Sequence, residues 1–415
     1  MQNSHHKIIT AFTLLQLIIL CIFGYTPYPD SEGYIKLAND CLIYNEPYPV
    51  SIKLTDLAFI WNIGAVNTVA LSLKLFHSVV PLLVCYSLMK GATAWMLYKI
   101  TQQITNTRTA NTALLIYVLY PANYGEATSV LSEVPNIFFS LTALYLIICK
   151  KKNVMGGGII AIANWFRPIG LVYIIAVIIY QRKKAVKTMI GYAAMIGIIG
   201  WMSYYRTGCF IYQAQTGWMA LLQYSVDNTA TKSDDALPVI TDTHINVTEK
   251  DKIWRNRFFA WLKEHPADYI AQMPEKLYKL FVSDNVNMCA FLSHKQHRKY
   301  LYSELNMRQL ANDFPTYTPV QFLTMMNLFF YYILLVLFVT SCLQIRRLPY
   351  RQTLVLPFAL IILNILMIML VGHGEARFHY PFMPYIIITD AVFISKIITR
   401  KTSIQSINQC PHCIE

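Results

Sequence analysis

Charge is what this sequence has least of. Only 14% of its 415 residues are Asp, Glu, Lys or Arg, against 55% hydrophobic, and the mean hydropathy is +0.39. A soluble chain of this length has too little interior to hide that much apolar surface. Acids are scarcer than bases, 22 against 35, for a net charge of +13. A disulfide framework is missing as well: nine cysteines are scattered at 21, 41, 85, 149, 209, 289, 342, 410 and 413 without paired spacing. Internal repeats are absent, which argues against a transporter built from matching halves. No small-x-small cleavage site follows the first apolar run, 8–23, so it reads as a retained helix and not as a signal peptide.

The excess of positive charge excludes a nucleic-acid role by its distribution. The stretch 206–319 is nearly balanced, with 13 basic and 12 acidic residues. The remaining excess sits in short loops, at Lys150–Lys152, Arg182–Lys184, Arg346-Arg347 and Arg400-Lys401. That is the positive-inside pattern of a polytopic membrane protein. Apolar runs predict spans at 8–25, 77–98, 110–124, 131–149, 185–204, 320–343, 353–371 and 379–398. Residues 154–181 are apolar but carry Arg167-Pro168 at their centre. Proline disfavours helix in the residue before it, so two half-length helices meeting there are expected, with both flanking basic clusters on one side.

With both termini in the cytoplasm, the chain divides into four parts. Residues 1–204 are an N-terminal membrane module with a first external loop (26–76) and the broken pair (154–181). Residues 205–319 form an extracytoplasmic segment with interfacial helices, 320–398 the last spans, and 399–415 a cytoplasmic tail. The tail ends in CPHC; Cys410, His412 and Cys413 are three of the four ligands a zinc site needs, and a reduced tail is the plainer reading.

The acids segregate opposite to the bases. Ten lie outside 206–319, and all but Asp390 and Glu415 fall on the outer side. Two of them, Asp30 and Glu32, stand where the first span leaves the membrane. Apolar residues at Tyr34, Leu37, Ala38, Cys41 and Leu42 predict an amphipathic helix over 31–44, lying on the surface. Asp30 then either caps that helix or does chemistry, and Glu32 either compensates the helix dipole or shares that chemistry. Asp390 and Lys90 fall within predicted spans; Asp390 lies too deep for chemistry on the outer face, and Lys90 is expected to contact a polar partner or to snorkel inward.

The motifs PDSEGYIKLA, SEVPNIFFSLTALYLI (132–147), NWFRPIGLVYI (164–174), FFAWLKEHPADYIAQMPEKLYKLF (258–281) and HGEARFHYPFMPYIII (373–388) follow one another along the chain. In that order they resemble the polyprenyl-phosphate-sugar glycosyltransferases of the GT-C fold, which include dolichyl-phosphate-mannose protein mannosyltransferases and lipid A aminoarabinose transferases. Asp-Ser-Glu stands here where those branches usually show Asp-Glu, and no counterpart of the soluble domain of some members is read.

The resemblance implies an all-α, GT-C-like bundle of about 8–10 membrane segments in the cytoplasmic (inner) membrane, with its active site on the extracytoplasmic face. It implies an inverting transfer of sugar from a polyprenyl-phosphate donor to a glycan, lipid or protein acceptor, with Asp30 or Glu32 as base. The leaving phosphate needs positive charge, for which Arg377, Arg167, His373 and His379 are candidates. Glu133, Glu126, Glu375 and Tyr380 are candidates for substrate contact. No cofactor is implied, and a divalent metal at the paired acids stays open. An enzyme of the O-antigen polymerase or ligase kind, using a diphosphate-linked glycan, is the alternative; its Arg and His residues would lie in later loops.

Overall fold

The computed structural model describes residues 4–45, 61–227, 247–288, 319–372 and 374–408. All regular structure among them is helical, so the expected all-α polytopic bundle is what the chain forms. Helices α1 (Ser4–Phe23), α2 (Pro29–Ile43), α3 (Ile63–Phe76), α4 (Val80–Ile104) and α5 (Thr107–Leu119) open it. Then come α6 (Glu133–Ile148), α7 (Asn153–Phe166), α8 (Gly170–Gln181) and α9 (Val186–Thr207). The segment α10 (Gly217–Asp227), α11 (Val247–Glu264), α12 (Pro266–Ala271) and α13 (Met273–Phe281) precedes the closing helices α14 (Pro319–Leu343), α15 (Val355–Val371) and α16 (Met383–Asn408).

Among the described residues, five helical stretches are long and apolar enough to cross a membrane, and a sixth arises if Pro121–Thr128 and Glu133–Ile148, bent by 115°, count as one span. Helices α3, α7 and α15 are apolar but shorter. The chain is thus a multi-pass membrane protein.

The broken pair forms as the sequence predicts. Helix α7 ends at Phe166, Arg167 is extended (φ −153°, ψ 131°), and α8 starts after Pro168 and Ile169. The backbones of α7 and α9 touch. A Cβ on Gly157 would meet the Thr188 carbonyl at 1.9 Å, and one on Gly191 would meet that of Val154 at the same distance. Lipid tails are as apolar as leucine, so close approach at small residues, not hydrophobic burial, binds such helices. This contact pairs the start of α7 with the start of α9. It places Lys150–Lys152 and Arg182–Lys184 at one end of the bundle.

Three expectations need correction. Residues 63–76, read as part of an external loop, form α3, which packs on α2. The expected span 110–124 ends at Leu119, and Pro121–Tyr124 is a 3-10 turn. The segment after 205 does more than rest on a surface. Trp254, Phe258 and Trp261 of α11 pack with Leu221, Leu222 and Val226 of α10 and with Tyr269 into a small core of their own. That core is fastened to the end of α15. The Tyr269 hydroxyl donates to the Leu370 carbonyl, and Lys276 Nζ donates to that of Met369 at 3.3 Å. Residues 228–246 of this segment fall outside the described residues.

Candidate active site

Four chain segments deliver charge to one place. Pro29 occupies the first turn of α2, where its missing N–H costs nothing, and Asp30 follows it. Helix α6 begins with Glu133. The α7–α8 break supplies Arg167. The turn before α16, Ala376–Phe382, supplies Arg377, with Glu375 just ahead of it. This last segment is held from two sides. Gly374 lies on α13, where a Cβ would stand 2.3 Å from the Lys276 carbonyl oxygen. His379 is fully buried, with Nε2 at 2.8 Å from Asp284 and Nδ1 at 2.8 Å from the Leu280 carbonyl.

Arg377 is the hub. Its Nη1 lies 2.6 Å from Asp30 Oδ2, and its Nε lies 3.2 Å from Glu375 and 4.0 Å from Glu133. Its Nε and Nη1 are buried yet meet no acceptor at hydrogen-bonding angles. The carboxylates therefore neutralise the guanidinium, holding Nη1 and Nε at ion-pair distance. Arg167 Nη1 binds Glu133 at 2.5 Å and lies over the Phe378 ring, 4.9 Å from the centroid. Glu133, with a side chain 2% exposed, thus ties two guanidiniums together. Ser132 also donates to Glu133, at 3.4 Å. Asn62 donates to Ser132 and to the Tyr34 hydroxyl, at 3.2 and 2.7 Å.

These groups border a cavity of about 510 Å³. Asp30, Glu375, Arg377 and Arg167 form its charged side. Thr216, Met219 and Ala220 around α10, and Asn364, Met367 and Ile368 of α15, add a mostly apolar lining. Trp61 closes one flank: its ring sits on Gly33, where a Cβ would come within 2.3 Å, and makes an edge contact with Tyr34.

The remaining sequence candidates lie elsewhere. Glu32 is exposed and does not line the cavity. Asp30 is in the first turn of α2 rather than at its cap, which is Tyr28, so capping does not account for it. Glu126 and Tyr380 are buried in a separate network, in which Lys90 Nζ contacts the Tyr380 hydroxyl and that hydroxyl donates to Asn123 at 2.5 Å. Lys90 thereby meets the polar partner expected of it. His379 lies outside the cavity lining, against Asp284. Asp390 is fully buried with neither carboxylate oxygen hydrogen-bonded. His373, like Cys410, His412 and Cys413, falls outside the described residues.

Sequence reading missed Asp284, which accepts from Tyr120, Asn287, Asn327 and His379. It also missed Asn62, Trp61 and the α10 wall. Asp284 carried a signal, as an acid closing the apolar pattern of α13; Trp61 and Asn62 carried none. Each of the cavity's carboxylates already faces a guanidinium, so a divalent metal would displace Arg377 from Asp30 and Glu375.

No protein family and no curated protein matches the chain. Among solved structures it is similar to the Archaeoglobus fulgidus oligosaccharyltransferase tethered with an acceptor peptide containing the NVT sequon. Identity is 12%, the match covers 96% of this chain and 50% of that one, and the TM-score is 0.50. The apo form of that enzyme gives 12% identity over 98% of this chain and 52% of that one, at a TM-score of 0.49. The chain spans about half the length of the solved structures it matches. The likeness is one of fold, and it agrees with the GT-C-like bundle implied by the motifs.

Proposed function

We propose that this protein is a membrane glycosyltransferase that moves a sugar from a polyprenyl-phosphate donor to an acceptor hydroxyl. One observation carries the reading. An arginine ion-paired to a carboxylate shares with it a single cavity, and most of the remaining lining of that cavity is apolar. A lipid-linked sugar needs all three features.

Arg377 binds the donor phosphate in exchange for its carboxylate partners, and Arg167 adds a second positive charge from the helix break. The isoprenoid lies along Met367 and Ile368 of α15. Binding draws Arg377 toward phosphate and loosens its hold on Asp30. Asp30 then accepts the proton of the acceptor hydroxyl as that oxygen attacks the anomeric carbon. The bond from the anomeric carbon to the phosphate oxygen breaks on the far side and configuration inverts. The electron pair leaves with polyprenyl phosphate, which gains one negative charge, and the two guanidiniums stabilise it. Glu133 holds the arginines in place through the cycle.

The fold likeness to an oligosaccharyltransferase supports a glycosyltransferase bundle, and the motif order supports the monophosphate donor. The site opens at the bundle end opposite the basic loops, which fits an extracytoplasmic reaction at a cytoplasmic membrane. The test is donor consumption in membranes supplied with polyprenyl-phosphate sugars. Formation of polyprenyl phosphate and a glycosylated product is expected. If no such donor is consumed while a diphosphate-linked glycan is, the donor class assigned here is wrong.

A further inference from the structure

A second concavity lies near the far end of α15. It is a groove of about 340 Å³ between α8 and α15, lined by Ile179, Val355, Phe358, Ala359 and Ile362, with Arg351 at its mouth. Its walls are apolar apart from that arginine. Ile179 and Ile362 are about half exposed on the lipid-facing side. Arg351 is exposed, and no described carboxylate pairs with it.

Its surroundings carry one sign of charge. Arg346 and Arg347 precede it on the same loop, and Arg182, Lys183 and Lys184 follow Ile179 at the end of α8. No described Asp or Glu stands at this end of the bundle; Asp390 of α16 is buried inside it. An apolar slot open to lipid, ending in an arginine amid uncompensated bases, fits one kind of molecule. We propose that the groove is a binding site for an anionic phospholipid, with an acyl chain along Phe358 and Ile362 and the headgroup phosphate on Arg351. The donor's isoprenoid is the other apolar candidate, since α15 also borders the main cavity. Its charge, however, sits at the Arg377 end, and its tail carries nothing for Arg351 to bind. The proposal does not rest on the transferase reading.

The experiment is native mass spectrometry of the purified full chain in neutral detergent, with equimolar phosphatidylglycerol and phosphatidylcholine of identical chains. Retention of phosphatidylglycerol is expected to exceed that of phosphatidylcholine about fivefold, the weight of one basic residue at an anionic surface. Arg351→Gln is expected to equalise the two, and Arg351→Lys to keep most of the preference. Ile362→Trp, at an already exposed position, fills the groove and is expected to lower retention of both lipids. Equal retention by the wild type overturns the proposal. So does a preference that survives both Arg351→Gln and Ile362→Trp, which would mark general surface attraction. Displacement of phosphatidylglycerol by added polyprenyl phosphate would assign the groove to the donor tail instead.

Discussion

Arg377 stands 2.6 Å from Asp30. The cation suited to hold a leaving phosphate and the carboxylate suited to take the acceptor's proton are thus one ion pair. Each restrains the other, and in the proposed reaction a donor phosphate would compete with Asp30 for the same guanidinium.

Replacing Asp30 by Asn keeps the shape and removes the proton acceptor. Transfer is expected to fall by about 10²–10⁴-fold, the usual weight of a positioned general base. Glu32→Gln, at an exposed position outside the cavity, is expected to stay within a few-fold of wild type. Initial rates at saturating donor, at matched expression, separate the two; a larger loss from Glu32→Gln would move the base off Asp30.

Arg377→Lys keeps the charge but loses the planar fork. A charged hydrogen bond is worth about 1.5–3 kcal/mol. The donor KM is expected to rise roughly ten- to hundredfold, with a smaller change in kcat. A titration of rate against donor concentration reads the split, and an unchanged KM would remove Arg377 from the donor site.

Glu133→Gln leaves Arg167 without its partner. Breaking a buried pair costs about 3–5 kcal/mol, and the low end applies because Arg167 keeps some exposure. A lower thermal midpoint in detergent is expected. Adding Arg167→Met removes the stranded charge and should restore much of the loss. A double variant no better than the single would show that Glu133 acts through something other than this pair.

Gly374→Ala puts a methyl group where the Lys276 carbonyl already stands. The backbone must shift, and Arg377 shifts with it. Sugar transfer is expected to drop at least tenfold although no charged group has changed, a loss of order 1.4 kcal/mol. Wild-type rates from this variant would mean that the segment has slack.

Lys276, fully buried in α13 outside the spans, has its pKa lowered to about 8 from 10.5 by desolvation. Between those values the unfolded chain binds more protons than the folded one. Stability attributable to this group therefore rises with pH from about 8 to 10.5, and is flat below. The thermal midpoint is expected to climb across that window, and Lys276→Met to flatten the climb. A wild-type profile as flat as that of the variant would show no such group.

Much of this architecture was legible because membranes leave few options. Runs of apolar residues give spans, and Arg167-Pro168 gives the break, both through local rules. Asp30, Arg167 and Arg377 could be nominated the same way, as charges at span ends. Their meeting could not. It depends on Gly374 lying on α13 and on His379 reaching Asp284, contacts between residues far apart in the chain and without a local signature. Glu32 and His379 look as chemically apt as Asp30 and Arg377 in the sequence. One faces outward and the other is consumed by a buried acceptor, and only packing separates them. Helix α3 escaped notice because its apolar stretch is short and broken by Lys74 and polar residues.

Helix α15 borders the charged cavity through Asn364, Met367 and Ile368 and the basic-end groove through Phe358, Ala359 and Ile362. A helix is stiff, so a tilt that widens one opening alters the other. Linkage then works in both directions: an occupant of the groove that favours one tilt changes donor affinity by the factor with which the donor changes its own. Bilayer composition on one face would enter the rate law of a reaction on the other, carried by a single rigid rod.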